Sequence, residues 1–244
     1  MNIRMTQTLK ILLGVMFGAF LIQQTADRYF GTDLLGLFGL VPARVIGQGA
    51  VWQFVTYAFL HGDVTHLVLN LLMLALLGGE IERALGGARK FLGFFTFCVV
   101  FAGVLYVLAQ SLFVGGVYTP MIGASGGIFG LLAAYGLLFG DRMILLMFVF
   151  PMRARNAIWI FAGIELLSLL FSPTGGLSSL AHLAGMGAGF LYLWVGAWQK
   201  ARSRLASMGV LGQNRKKKRS SRHLRVVDSE DQGSKSGPGK HTWH

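Results

Sequence analysis

Between Lys90 and Asp141 the chain carries no Asp, Glu, Lys or Arg, and no other feature limits its fold so strongly. A helix crossing the hydrocarbon core needs about 20 apolar residues, so the interval from Phe91 to Gly140 holds two, with Gly115, Gly116 and Pro120 marking the turn. A second gap, Leu166 to Gln199, is broken by Ser172-Pro173-Thr174-Gly175-Gly176; it supplies the end of one span, which begins near Asn156, and the whole of another. Gaps from Ile11 to Ala26 and from Val64 to Gly79 supply two more, making six. The runs are continuous rather than alternating, which excludes the strands of a membrane barrel. With 54% hydrophobic and 13% charged residues over 244 positions, they also exclude an ordinary soluble domain. The expected fold is an all-α integral membrane protein, a bundle of six transmembrane helices.

Basic residues in short loops are retained on the cytoplasmic side. Arg4 and Lys10 precede span one, Arg83, Arg89 and Lys90 lie between spans two and three, and Arg142, Arg153 and Arg155 between four and five. Only Arg28 and Arg44 fall in the opposite loops, so both termini are expected in the cytoplasm. The net charge of +12 comes mostly from the end of the chain, with Arg215-Lys216-Lys217-Lys218-Arg219 at its centre. Residues 1–200 are read as the six-span core and residues 201–244 as a basic, disordered cytoplasmic tail. Such a run fixes topology and attracts anionic lipid head groups, at about 1 kcal/mol per basic residue; nucleic acid is not an expected partner. Cys98 is the only cysteine, which leaves no intrachain disulfide and no cysteine-based metal site. The first apolar stretch lacks a clear small-residue cleavage site before Thr25 and reads as a retained span.

Three spans begin with polar groups that lipid alone disfavours. Ser125 lies in Gly123-Ala124-Ser125-Gly126-Gly127, His182 in Ala181-His182-Leu183-Ala184-Gly185, and His66 and Asn70 stand four residues apart, on one face of a helix. In the expected topology all of them lie on the non-cytoplasmic side. A glycine-flanked serine on its own signals only close helix packing through Gly126 and Gly127. His182 changes that reading: Gly185 and Gly189 give its span a smooth face that can approach the serine's span to hydrogen-bonding distance, and a neutral imidazole can take the serine proton. Asp63 and Glu165 are the acidic residues near membrane level, and the spacing of neither marks it as a third member. A dyad is therefore expected, with Glu165 read as a buried packing partner of a neighbouring span.

Together with Trp52-Gln53-Phe54-Val55-Thr56-Tyr57, His61-Gly62-Asp63-Val64-Thr65-His66-Leu67-Val68-Leu69-Asn70 and Gly78-Gly79-Glu80-Ile81-Glu82, these motifs resemble the rhomboid intramembrane serine proteases over about Thr25 to Gly196. The resemblance implies a six-helix rhomboid-like bundle that cleaves single-span transmembrane proteins and needs no cofactor and no metal. It makes Ser125 the nucleophile, His182 the general base, and His66, Asn70 and the Ser125 backbone N–H the oxyanion hole. It also makes Gly123, Gly126, Gly127, Gly185, Gly189 and Glu82 structural. His61 and the connection from Asp27 to Leu60 would belong to a partly membrane-embedded first loop. Gln53 departs from the family, where many relatives carry Arg, and leaves the anchoring of that loop open. A bacterial inner membrane is the expected location.

The rival of another class is a catalytically silent relative that binds and routes membrane clients. Such relatives characteristically lose the serine or the histidine, and this chain keeps both. A metal hydrolase built on His61, Asp63 and His66 lacks the His-Glu-x-x-His spacing. A transporter using Glu165 as an ion site lacks an evident inverted repeat.

Overall fold

The computed structural model describes residues 5–114, 116–146, 150–172 and 176–207. Gly115, Pro173 to Gly175 and the basic cluster at 215–219 lie outside the described residues. Helix α1 (Gln7–Thr25) continues into a wider π turn at Ala26–Phe30. Three short helices follow, α2 (Leu34–Phe38), α3 (Pro42–Gln48) and α4 (Gln53–Thr56), and then the long helices α5 (Val64–Leu85) and α6 (Ala88–Ala109). Next come α7 (Ser125–Leu138), the strands β1 (Met143–Leu146) and β2 (Phe150–Arg153), α8 (Ala154–Phe171) and α9 (Gly176–Ser207).

The caps follow from local chemistry. Thr6 accepts from the Leu9 N–H at the head of α1, and the Asp63 carboxylate accepts from the His66 N–H at 2.8 Å at the head of α5. The glycine pair between α5 and α6 turns the chain, Gly86 at φ +91° and Gly87 at φ +112°, and their N–H groups close on the Arg83 and Glu82 carbonyls.

Among the described residues, five helices are long and apolar enough to span a bilayer, those beginning at Gln7, Val64, Ala88, Ala154 and Gly176. The sixth expected span is the exception, since α7 has only 14 residues. The all-helical expectation also misses the antiparallel pairing of β1 with β2, which aligns Met143 with Arg153 and Leu146 with Phe150. Residues 143–153 lie between two apolar helices, and their hydrophobicity hid a pattern too short to register as strand. Helix α9 runs on through Ser207, past the expected end of the core at residue 200.

Helix α7 is the centre of the bundle, packed on α5, α6 and α8, with Leu131, Ala133 and Ala134 wholly buried. Its glycines face Phe95, Cys98, Val99 and Ala102 of α6. Outside, Phe17, Ile22, Leu108, Trp159, Leu167, Phe171 and Trp194 are exposed. That would be an aggregation surface in water, and here it is the lipid-facing surface of an integral membrane protein. Lipid tails are as apolar as these side chains, so the core is held by close packing and hydrogen bonds rather than by expulsion of water. One such clamp sits at the Gly86 end of α5. Buried Glu82 accepts hydrogen bonds from the Thr6 hydroxyl at 2.5 Å and the Thr8 hydroxyl at 2.9 Å, tying the head of α1 to α5.

Candidate active site

At 1.5 Å per residue α7 is about 21 Å long, against a hydrocarbon core of about 30 Å. Its first residue, Ser125, is half-buried and is reached by a non-helical segment, residues 116–124. That segment is pinned from several directions. Leu40 and Met121 exchange both backbone hydrogen bonds at 2.9 Å, and the Gly123 N–H donates to the Tyr57 carbonyl at 2.9 Å. The Tyr57 hydroxyl in turn donates to the Val99 carbonyl of α6 at 2.8 Å. Gly123 has φ +105°, and a Cβ there would lie 2.6 Å from His66 Nε2, so both its backbone shape and its neighbour require glycine. Helix geometry leaves the N–H groups of Ser125, Gly126 and Gly127 without intrahelical acceptors, since the first helical bond runs from the Ile128 N–H to the Ala124 carbonyl at 3.1 Å.

Helices α7 and α9 cross glycine on glycine. A Cβ on Gly185 would overlap the Gly126 carbonyl oxygen, and one on Gly189 would stand 2.6 Å from the Gly130 carbonyl oxygen. Gly127 is closed in by Phe95, with a Cβ position 2.7 Å from its ring. This backbone approach brings His182 Nε2 to 2.8 Å from Ser125 Oγ. The Phe129 ring stacks on the imidazole at 4.3 Å and 8°, which sets the plane of the ring. Tyr57, Gly123, Ser125, Ser178 and His182 line a cavity of ≈ 20 Å³, room for about one water molecule.

His66 lies against Gly123, two residues before the serine. Asn70 is buried one turn further along α5, and its amide donates to the His66 carbonyl at 2.9 Å. Among the described residues no hydrogen bond joins either of them to Ser125 or His182. The expectation that no acid stands beside the pair needs correction. Glu165 Oε1 of α8 lies 2.9 Å from His182 Nδ1, and its carboxylate is also hydrogen-bonded by buried Ser179. Sequence spacing missed it because Glu165 and His182 stand on different helices, α8 and α9, 17 residues apart in the chain. The available signal was an ionisable group inside a span.

A family model described as the rhomboid domain matches residues 48–199, more than half of the chain. This chain belongs to the rhomboid family. It is 28% identical to human Rhomboid-related protein 3 over 191 residues, covering 72% of this chain and 42% of that protein. It is 31% identical to Rhomboid protease GlpG of Serratia proteamaculans over 144 residues, and equally so to GlpG of Yersinia pestis, in both cases covering 58% of this chain and 46% of the relative. The chain thus spans under half the length of these relatives.

In this rhomboid Gln53 takes over the anchoring of the first loop. It is fully buried; its Oε1 accepts from the Val41 N–H at 3.0 Å, and its Nε2 donates to the Gly36 carbonyl at 2.8 Å and the Leu37 carbonyl at 3.2 Å. A neutral carboxamide satisfies both a donor and acceptors, which an Arg side chain cannot do. Trp52 and Thr56 add bonds to the Leu37 and Phe38 carbonyls at 3.0 and 2.7 Å. Gln53→Leu is expected to lower unfolding stability by about 3 kcal/mol, because it leaves several buried backbone groups unpaired. Chemical denaturation in mixed micelles reads this directly, and an unchanged midpoint would mean that the loop is held by other contacts.

His61 closes the loop. The Gln23 carboxamide of α1 brackets its backbone, donating to the His61 carbonyl at 3.0 Å and accepting from its N–H at 3.1 Å. The imidazole packs edge-on to His66 at 5.1 Å. Burial, followed by the neighbouring His66, lowers its pKa from 6.5 to about 4. The unfolded chain then binds a proton that the folded one refuses between these values. The stability this group contributes is fully present above pH 6.5 and is lost as the pH falls toward 4. The loss is on the order of 2 kcal/mol after allowance for solvent screening. Thermal unfolding from pH 7.5 to 4.5 is expected to show it, with a flatter profile in His61→Gln; parallel profiles would remove His61 as the cause.

Proposed function

We propose that this rhomboid is a serine endopeptidase that cleaves single-span membrane proteins within the bilayer. The observation that carries the reading is the 2.8 Å approach of His182 Nε2 to Ser125 Oγ at the head of α7. In this mechanism Ser125 Oγ attacks the scissile carbonyl carbon while its proton passes to His182 Nε2, and the carbonyl π pair moves onto oxygen. The resulting oxyanion is met by the free N–H of Ser125 and by donors from His66 and Asn70. Loss of one such donor typically costs about 3 kcal/mol in barrier. Collapse breaks the C–N bond, His182 returns the proton to the leaving nitrogen, and a water, deprotonated by the same imidazole, hydrolyses the acyl-enzyme. The cavity beside the pair has room for that water.

The charge bias of the loops supports cytoplasmic termini, which opens the site to the opposite face. The basic tail suits anionic lipid, and a bacterial inner membrane suits the overall pattern. The test is cleavage of a single-span model substrate in proteoliposomes by wild type, Ser125→Ala and His182→Ala, with a chelator control. Loss in both variants, insensitive to chelator, is the expected result. No cleavage by folded wild type across several substrates would transfer the chain to the silent, client-binding class.

A further inference from the structure

Among the described residues, one ionisable group that the proposed mechanism does not use stands next to the Ser125–His182 pair. Glu165 Oε1 is 2.9 Å from His182 Nδ1, on the far side of the ring from Ser125. It is mostly buried, with a side-chain exposure of 13%. A carboxylate can only accept a hydrogen bond, and Ser179 hydrogen-bonds this one as well. With Glu165 ionised, the proton in the 2.9 Å contact sits on Nδ1, which leaves the Nε2 lone pair facing the Ser125 hydroxyl. The opposite tautomer would place a proton on Nε2 and leave Ser125 without a base.

The surroundings hold this arrangement in place. Phe161, one turn before Glu165 on α8, meets Phe129 edge-on at 6.0 Å, and Phe129 is the ring stacked on His182. The same face of α8 thus supports the imidazole twice, through an aromatic wall and through a carboxylate. A buried carboxylate in hydrocarbon is costly unless it is paired, and a packing role would be filled as well by leucine or methionine.

We propose that Glu165 is a positioning residue for the hydrolysis, the third member of a Ser125–His182–Glu165 triad. The inference rests on the protease reading of the Ser125–His182 pair. Glu165 holds His182 in the tautomer that accepts the Ser125 proton, and it faces the imidazolium formed when that proton arrives. It remains a carboxylate throughout: in acylation one proton passes from Ser125 Oγ through His182 Nε2 to the leaving nitrogen, and in deacylation another passes from the hydrolytic water through Nε2 back to Ser125 Oγ. Because Glu165 sits on α8 and His182 on α9, the arrangement is complete only while these two helices stay packed together.

The experiment uses the full chain in proteoliposomes with a single-span model substrate and compares wild type, Glu165→Gln, Glu165→Asp, Glu165→Met and Ser125→Ala. It measures kcat and KM, the rate at which a fluorophosphonate labels Ser125, and the thermal midpoint. Glu165→Gln is expected to lower kcat and the labelling rate together by about 10²- to 10⁴-fold, as loss of the orienting acid does in other serine hydrolases. KM and the midpoint should stay near the wild-type values, and Glu165→Asp should recover at least tenfold over Glu165→Gln. A purely structural role would instead move the midpoint and would show no rescue by Asp. If Glu165→Gln does not fold, Glu165→Met decides by the same criteria. Wild-type kcat in the folded Gln or Met variant, beside a dead Ser125→Ala, would overturn the role of Glu165 and leave the protease reading standing. A folded wild type that neither labels nor cleaves would overturn both.

Discussion

Ser125→Ala is expected to lower cleavage by at least about 10⁴-fold, His182→Ala to lower it as far, and the double variant to lower it no further. The reason is that one hydrogen bond, 2.8 Å from Nε2 to Oγ, makes the two groups a single device. A serine hydroxyl without a base is a poor nucleophile, and an imidazole without the serine has no nucleophile to activate. Removing either one removes the whole covalent route. What remains is the contribution of substrate positioning and of the N–H donors at the head of α7, which operate in all three variants. The quantity to measure is product by mass spectrometry over long incubations, since the residual rates are small. Losses that multiply in the double variant would show that the serine and the histidine act in separate steps, and would remove the shared-proton mechanism.

The second large effect is expected from a residue with no chemistry of its own. Gly185→Val should abolish cleavage and destabilise the fold by more than about 4 kcal/mol, whereas Gly187→Ala, two positions along the same helix, should do neither. A Cβ at 185 would overlap the Gly126 carbonyl, and at 189 it would press on that of Gly130, while at 187 it would meet nothing within 4 Å. The protein interior cannot absorb such overlap by compression, so α9 must move away from α7. A shift of about 1 Å at a reacting centre is enough to cost about a hundredfold, and here it would stretch the Ser125–His182 contact directly. It would also break the glycine-to-glycine packing that substitutes for hydrophobic drive in a membrane. Thermal midpoints and cleavage rates of the two variants, taken side by side, test this. Equal behaviour of Gly185→Val and Gly187→Ala would mean that α7 and α9 do not cross at these glycines.

Much of this rhomboid was legible without coordinates. The charge-free intervals located α6 and α9, and the polar residues in the first turns of α5 and α7 and the second turn of α9 declared themselves because polar groups are expensive in hydrocarbon and are kept there for a reason. Gln53 and Glu165 are visible in the sequence, where the one leaves the anchoring of the first loop open and the other reads as a buried packing partner of a neighbouring span. What each does depends on partners far away in the chain: Gln53 bridges to Gly36 and Val41, and Glu165 meets a histidine on the next helix. Linear spacing reports which side chains share one helix face and is silent on which faces meet. The strands β1 and β2 were lost for a related reason, since a four-residue apolar strand next to apolar helices has no period to detect.

The sequence by itself determined that the chain lies in a membrane and which serine and histidine to compare, because both follow from the cost of placing charge and hydrogen-bonding groups in an apolar medium. Only the tertiary structure decided that glycines bring two backbones close enough to join Ser125 to His182, and that Glu165 stands behind the imidazole. Those are matters of distance between segments, set by packing of the whole bundle and not by any local run of residues.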